Sequence, residues 1–266
     1  MTLPSGAHAD APSTTSLADR LAFSLWIPAA IAGALTTAVG RLLDAEDLVR
    51  WAVMTASGGF VIYGVDRLRD LERDRHTSPD RTAFIERNQT SFRVALGLAA
   101  LVLVASAVGS APASLALCAS LGAVGLLHRR LKRAPAWKSI YVSLSWTGIC
   151  VGLPWLAAPD ATAESAAALA LVLFPTFWAN LVASNLRDDE AALRPAPALR
   201  FARAALVFAL AAAWLVPTDL APLAWLPVFE FLALARFRAT EHYGHLAVDG
   251  ALLAGALATH LQLTLA

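Results

Sequence analysis

The stretch GVDRLRDLERDRH, Gly64 to His76, lies where an apolar run meets a burst of charge. Asp66, Asp70 and Asp74 fall four residues apart, and Arg67, Arg69, Arg73 and Arg75 fill the gaps. On a helix the three acids share nearly one face, about 6 Å apart along the axis. Such a stripe suits a divalent cation, which takes one or two carboxylates plus waters and phosphate oxygens. The arginines allow a second reading, a helix end that neutralises itself. The residues just upstream, Trp51 to Val65, carry no charge at all and set the environment.

That run is one of nine apolar blocks. The others cover about Leu21–Gly40, Val94–Ser110, Ala113–Leu127, Ser139–Ala157, Ser165–Ser184, Phe201–Val216, Leu223–Ala235 and Leu246–Leu265. Most approach the ~20 residues that a bilayer-spanning helix needs. The second, fourth, seventh and eighth are short, and lengthen into their flanks or tilt less. The chain is 58% hydrophobic and only 15% charged, with a mean hydropathy of +0.58. An ordinary soluble domain carries roughly 25% charged residues, so that class is excluded. The expectation is an all-α polytopic membrane protein of nine helices around a central cavity.

Basic residues test the count. With nine spans, 19 of the 21 Lys and Arg residues fall on one side, and only Arg41 and Arg50 on the other. Cytoplasmic loops are the ones enriched in Lys and Arg. The amino terminus is therefore expected inside and the carboxyl terminus outside, in what is expected to be a bacterial inner membrane. Residues 1–19 are polar and small without a basic n-region, and read as a disordered cytoplasmic tail ahead of a membrane domain over 20–266. Cys118 and Cys150 lie inside apolar runs and read as buried small residues.

The two longest inner connections, 66–93 and 185–200, both begin with acids, and loops of this kind carry function. The second follows FWANLVASNLRDDEAALR, Phe177 to Arg194, which clusters Asn185, Asp188, Asp189 and Glu190. The two acidic ends form a weak internal repeat: two four-helix halves plus one helix. Between them, HRRLKRAPAWKSIYVSLSW (His128 to Trp146) supplies Arg129, Arg130, Lys132, Arg133 and Lys138, suited to clamping phosphate oxygens.

These three motifs, in this order, resemble those of the UbiA superfamily of intramembrane prenyltransferases. That family writes the first as Asn-Asp-x-x-Asp-x-x-x-Asp. Its loop before the fifth span has a Lys-Arg pair, a proline and then a lysine, close to KRAPAWK here. The resemblance implies Mg²⁺ on an isoprenyl diphosphate, which ionises to an allylic cation captured by a lipophilic, often aromatic acceptor. It places metal and catalysis at Asp66, Asp70, Asp74, Asn185, Asp188 and Asp189, and diphosphate at Lys132, Arg133, Lys138 and Arg67. Its partners would be the diphosphate, the acceptor and the bilayer, with no nucleic acid. Two departures stand out. Arg67 replaces the aspartate after the asparagine position, and Ala191-Ala192 replaces the Gly-Asp that ends the second motif. A terpene cyclase of the same superfamily, working without acceptor, and a non-catalytic protein of that fold are the alternatives.

Helical spacing puts Phe174, Trp178, Leu181 and Asn185 on one face of the sixth span. Tyr63 lies one turn before Asp66, and Tyr141 one turn after Lys138. As cavity aromatics, Tyr63, Tyr141, Phe174 and Trp178 would stabilise a cation, or else they pack helices. Glu230 and Asp249 fall inside spans, where an acid has either a substrate or a pairing role.

Overall fold

The computed structural model describes residues 16–131, 135–216 and 219–265, and among these there is no strand. The first helix, α1 (Leu17–Phe23), takes in the last three residues of the expected tail. Ser16 and Asp19 exchange side chain-to-backbone hydrogen bonds of 3.0 and 2.9 Å, a capping box that satisfies two otherwise orphan donors. The chain then bends by 53° into α2 (Trp26–Leu42). Leu25 makes the bend at φ +66°, a costly conformation for a residue with a Cβ. Burial of Leu25 beside Phe23, Ala29 and Phe92 holds it there.

Helix α3 (Leu48–Thr77) has 30 residues, roughly 45 Å at 1.5 Å per residue. The hydrocarbon core of a bilayer is about 30 Å thick, so α3 is long enough to carry its charged end beyond it. Ser78 and Pro79 stop it and start α4 (Pro79–Arg87), proline being tolerated in a first turn that lacks backbone partners. The α4 amino terminus is satisfied from far away in sequence: Glu241 accepts from the Asp80 and Arg81 backbone N–H groups, both at 3.0 Å. There follow α5 (Gln89–Ala107), α6 (Pro112–Leu131), α7 (Pro135–Leu156), α8 (Ala163–Arg187) and α9 (Pro195–Leu215). A 3₁₀ turn (Ala221–Ala224) leads into α10 (Trp225–Ala235). A π-helical turn (Tyr243–Asp249) leads into α11 (Gly250–Leu265).

Six helical segments are long and apolar enough to cross a membrane: α3, α5, α7, α8, α9 and Tyr243–Leu265. The bent α1–α2 pair makes a seventh if taken as one span. The expected fourth and eighth spans fall on shorter apolar helices, Pro112–His128 and Ala221–Ala235. Packing supports a polytopic membrane protein. Leu35 and Val39 of α2, Val172 and Leu173 of α8, Leu223 of the 3₁₀ turn and Leu226 of α10 are fully buried in one apolar cluster. Val94, Leu98, Leu101 and Val104 on α5, and Phe201, Phe208 and Trp214 on α9, point outward, as lipid-facing side chains do. Helices α10 and α11 approach closely at Gly255, where a Cβ would sit 2.8 Å from the Leu226 Cα.

Candidate functional site

One cavity of about 410 Å³ runs among α1, α2, α3, α6, α7, α8 and the π-helical turn. Its depth is apolar, with Met54, Val61, Leu103, Leu121 and Leu153 in the wall. Its other part is charged. There the carboxyl ends of α3 and α8 meet the start of α7, so the two acidic motifs and Lys138 line one space.

Asp66 lines the cavity and makes no ion pair or hydrogen bond among the described residues. Asp74 also lines it, but its Oδ2 is held by Arg81 at 2.9 Å and by Arg67 at 3.3 Å. Asp70 is buried, lies 3.6 Å from Arg73, and is not part of the cavity wall. Thus the acidic stripe and the self-neutralising helix end coexist: the helix turns Asp66 to the cavity and gives Asp70 and Asp74 to arginines.

At the end of α8, Asn185 donates to Ser139 Oγ at 2.8 Å, and its Oδ1 is buried without a partner. Both Asp188 oxygens are taken by Arg187, at 2.7 and 3.0 Å. Burial alone would raise the Asp188 carboxyl, yet the Arg187 charge outweighs it and holds the group well below the usual carboxylate range. Asp189 does not line the cavity. It is exposed at φ +54° and turns the chain after the helix, a conformation that aspartate tolerates. That turn delivers Glu190 instead, which lines the cavity and bridges Arg73 on α3 and Lys138 on α7. Its carboxyl is lowered too: burial pushes it up, and Lys138 and Arg73 pull it further down.

Arg81 was not foreseen. It is 2% exposed, bonded to Asp74 and 4.0 Å from Asp188, and so joins the two acidic ends. Burial and the nearby Arg67 bring its guanidinium down to about 10, against the pull of Asp188 and Asp74. Lys132 and Arg133, expected at the diphosphate, lie outside the described residues. Arg67 and Lys138 line the cavity.

The aromatic wall differs from the expected one. Tyr63 and Tyr141 line the cavity, whereas Phe174 and Trp178 do not. Phe177 takes their place, about 100° round the helix from Trp178. A chain of rings results: Tyr63 to Trp146 at 6.0 Å and Trp146 to Phe177 at 5.4 Å between centroids. Tyr63 accepts a 2.8 Å hydrogen bond from Trp146 Nε1, and Tyr141 pairs with His128 Nδ1 at 2.7 Å.

Among the described residues, no three His, Cys, Asp or Glu side chains gather as ligands for a metal ion. Among the described motif residues that line the cavity, Asp66 and Asn185 Oδ1 are the ones whose oxygens have no partner. They suit an ion that takes few protein oxygens and fills its shell with water and phosphate. An ion on Asp74 and Asp188 would first have to displace buried guanidinium groups. Set against protein-family models, curated proteins and solved structures, the chain matches none.

Proposed function

We propose that this protein is an intramembrane prenyltransferase, transferring the isoprenyl group of an allylic diphosphate to a lipophilic acceptor with Mg²⁺. One observation carries the reading. A single cavity pairs an apolar, ring-lined depth with a charged end containing both acidic motifs, Arg67 and Lys138. An amphipathic substrate with an apolar tail and a polyanionic head fits such a space, and few other ligands use both parts. The likeness to the UbiA motifs points the same way. In this reading the nine apolar segments all cross the membrane, and the charged end opens to the cytoplasm.

Asp66 and Asn185 would hold Mg²⁺, which offsets charge on the departing diphosphate. Lys138 and Arg67 bind phosphate oxygens and favour the leaving group as its charge grows. Tyr63, Trp146 and Phe177 supply aromatic rings in the cavity wall that would stabilise the developing allylic cation. The apolar depth disfavours water there and so favours capture of the cation by the acceptor. The ring-lined wall also suits a cyclase that quenches the cation internally, and incubation without acceptor separates the two.

Asp66→Asn is the cleanest test, because Asp66 carries no arginine whose loss would unsettle the fold. Purified protein in lipid nanodiscs is given prenyl diphosphates of increasing length with Mg²⁺, and diphosphate release is followed. The variant is expected to lose roughly two to three orders of magnitude in rate, the scale seen when a transition-state charge partner is removed. Equal rates in variant and parent, or no release by the parent from any prenyl diphosphate, overturn the proposal.

A further inference from the structure

A second polar group lines the same cavity, beside Arg187 at the end of α8. The chain enters α11 through the π-helical turn Tyr243–Asp249, a form rare in proteins and frequent at functional sites. His245 and Asp249 lie on this turn, with Nδ1 and Oδ2 3.0 Å apart. Asn180 of α8 donates to the other Asp249 oxygen at 3.3 Å. Asn180, His245 and Asp249 all line the cavity. His245 is 8% exposed, with the Phe23 ring edge-on at 5.8 Å, and its Nε2 is buried without a hydrogen-bond partner.

The neighbours fix where the imidazole proton sits. Arg187 Nη1 lies 3.5 Å from Nδ1, but a guanidinium only donates, and the Asp249 carboxylate only accepts. The shorter contact, with the carboxylate, therefore places the proton on Nδ1. Nε2 is left with a free lone pair, buried on a residue that lines the cavity. Gly244 keeps this arrangement possible: a Cβ there would meet Arg187 Cδ at 2.4 Å.

We infer that His245, oriented by Asp249, is the base that accepts the proton released in product formation; this rests on the cavity being the site of prenyl diphosphate chemistry. The carbon–oxygen bond of the substrate breaks, and its electron pair leaves with the diphosphate. The allylic cation takes an electron pair from a π bond of the acceptor, forming the carbon–carbon bond. The adduct then gives a proton to His245 Nε2, and the C–H pair restores the double bond. Asp249 stabilises the imidazolium that forms, and the proton passes on to water or the released diphosphate. In a cyclase the same base would take a proton from the cyclised cation.

The measured quantity is prenylated or olefinic product formed per diphosphate released. His245→Gln should lower this ratio by roughly a hundredfold, the low end of what a positioned base contributes. Prenyl alcohol, from capture of the cation by water, should make up the difference. Asp249→Asn should lower the ratio less, and added imidazole should restore it in His245→Ala. An unchanged ratio in His245→Gln and Asp249→Asn overturns the inference. If His245→Gln does not fold, imidazole rescue of His245→Ala decides, and failure of rescue overturns it. A parent protein that releases no diphosphate fails the functional reading instead, so the two failures are distinct.

Discussion

The ends of α3 and α8 reach one cavity with similar acids and treat them differently. Helix α3 continues as a regular helix past its acids to Thr77, and its arginines come from its own turns and from α4, which folds back on it. Helix α8 stops at Arg187, and Asp188, Asp189 and Glu190 follow in a turn. On α3 the helical period brings Asp66 and Asp74 to the cavity, but only Asp66 without an arginine partner, and buries Asp70 beside Arg73. On α8 the backbone does the sorting: Asp188 turns back to Arg187, Asp189 makes the bend, and Glu190 enters the cavity. Similar strings of acids therefore have unlike members, and spacing alone does not tell which carboxylate is unspent.

Arg81 is the fully buried side chain that touches both ends, whereas Arg73, which also reaches both, is half-exposed, so removal of Arg81 is expected to have the largest effect. Arg81→Ala leaves Asp74 facing only Arg67 and Arg73, and removes a positive neighbour from Asp188. Breaking a buried pair by taking one partner typically costs about 3–5 kcal/mol. Unfolding in detergent should show a loss of that order, and Arg81→Lys should recover little, since an ammonium lacks the fork that reaches two carboxylates. A loss in the range of a surface substitution would mean the two ends are independent. Gly244→Ala disturbs the α8 end alone. Its new methyl displaces Arg187 from beside Asp188 and His245, an overpacking that typically costs about 1–3 kcal/mol. Unaltered stability would show that Arg187 has another place to go.

Most of the helix plan was legible, because uncharged runs of bilayer length are a strong signal. Each apolar block found in the sequence lies on a helix, and the acids of both motifs were named from spacing. The bend at Leu25 and the π-helical turn at Tyr243–Asp249 were not legible, since tertiary packing holds them and no local residue pattern marks them. Ser78-Pro79 marks a helix start, yet nothing local says that α4 folds back to place Arg81 between Asp74 and Asp188. Phe174 and Trp178 were expected on the cavity because a stripe of large rings is conspicuous. Leu181 and Asn185 of the expected face do line the cavity, joined by Phe177, Asn180 and Ser184 in place of the two rings, and the small and polar members stand out less. Asp249 is visible as an acid inside an apolar run, whereas nothing local marks His245, at the edge of that run, as its partner.

The pH dependence of stability should separate the two ends further. The folded Glu190 carboxyl titrates below its ordinary value because Lys138 and Arg73 favour its charged form. Its stabilisation is fully present above the unfolded value of about 4.3 and is lost as pH falls through the folded value. The thermal midpoint of the parent should therefore drop on acidification below about pH 4.3, and Glu190→Gln should start lower and drop less. Parallel pH curves for the two proteins would mean that Glu190 does not tie α8 to α3 and α7.

The smallest effect is expected at Arg75, on the α3 end but turned to the outside. It pairs with Glu72 at 2.8 Å and Glu86 at 2.7 Å, and its side chain is 51% exposed. Exposed pairs give up little when broken, because water and salt already screen them. Arg75→Ala should leave the thermal midpoint within error of the parent, and added salt should not separate the two. Arg75 and Arg81 are six residues apart and both carry two acidic contacts, so position alone separates them. A shift for Arg75→Ala as large as that for Arg81→Ala would show that charge count, and not burial, sets what these arginines contribute, and would undo the contrast between the buried and open faces of the α3 end.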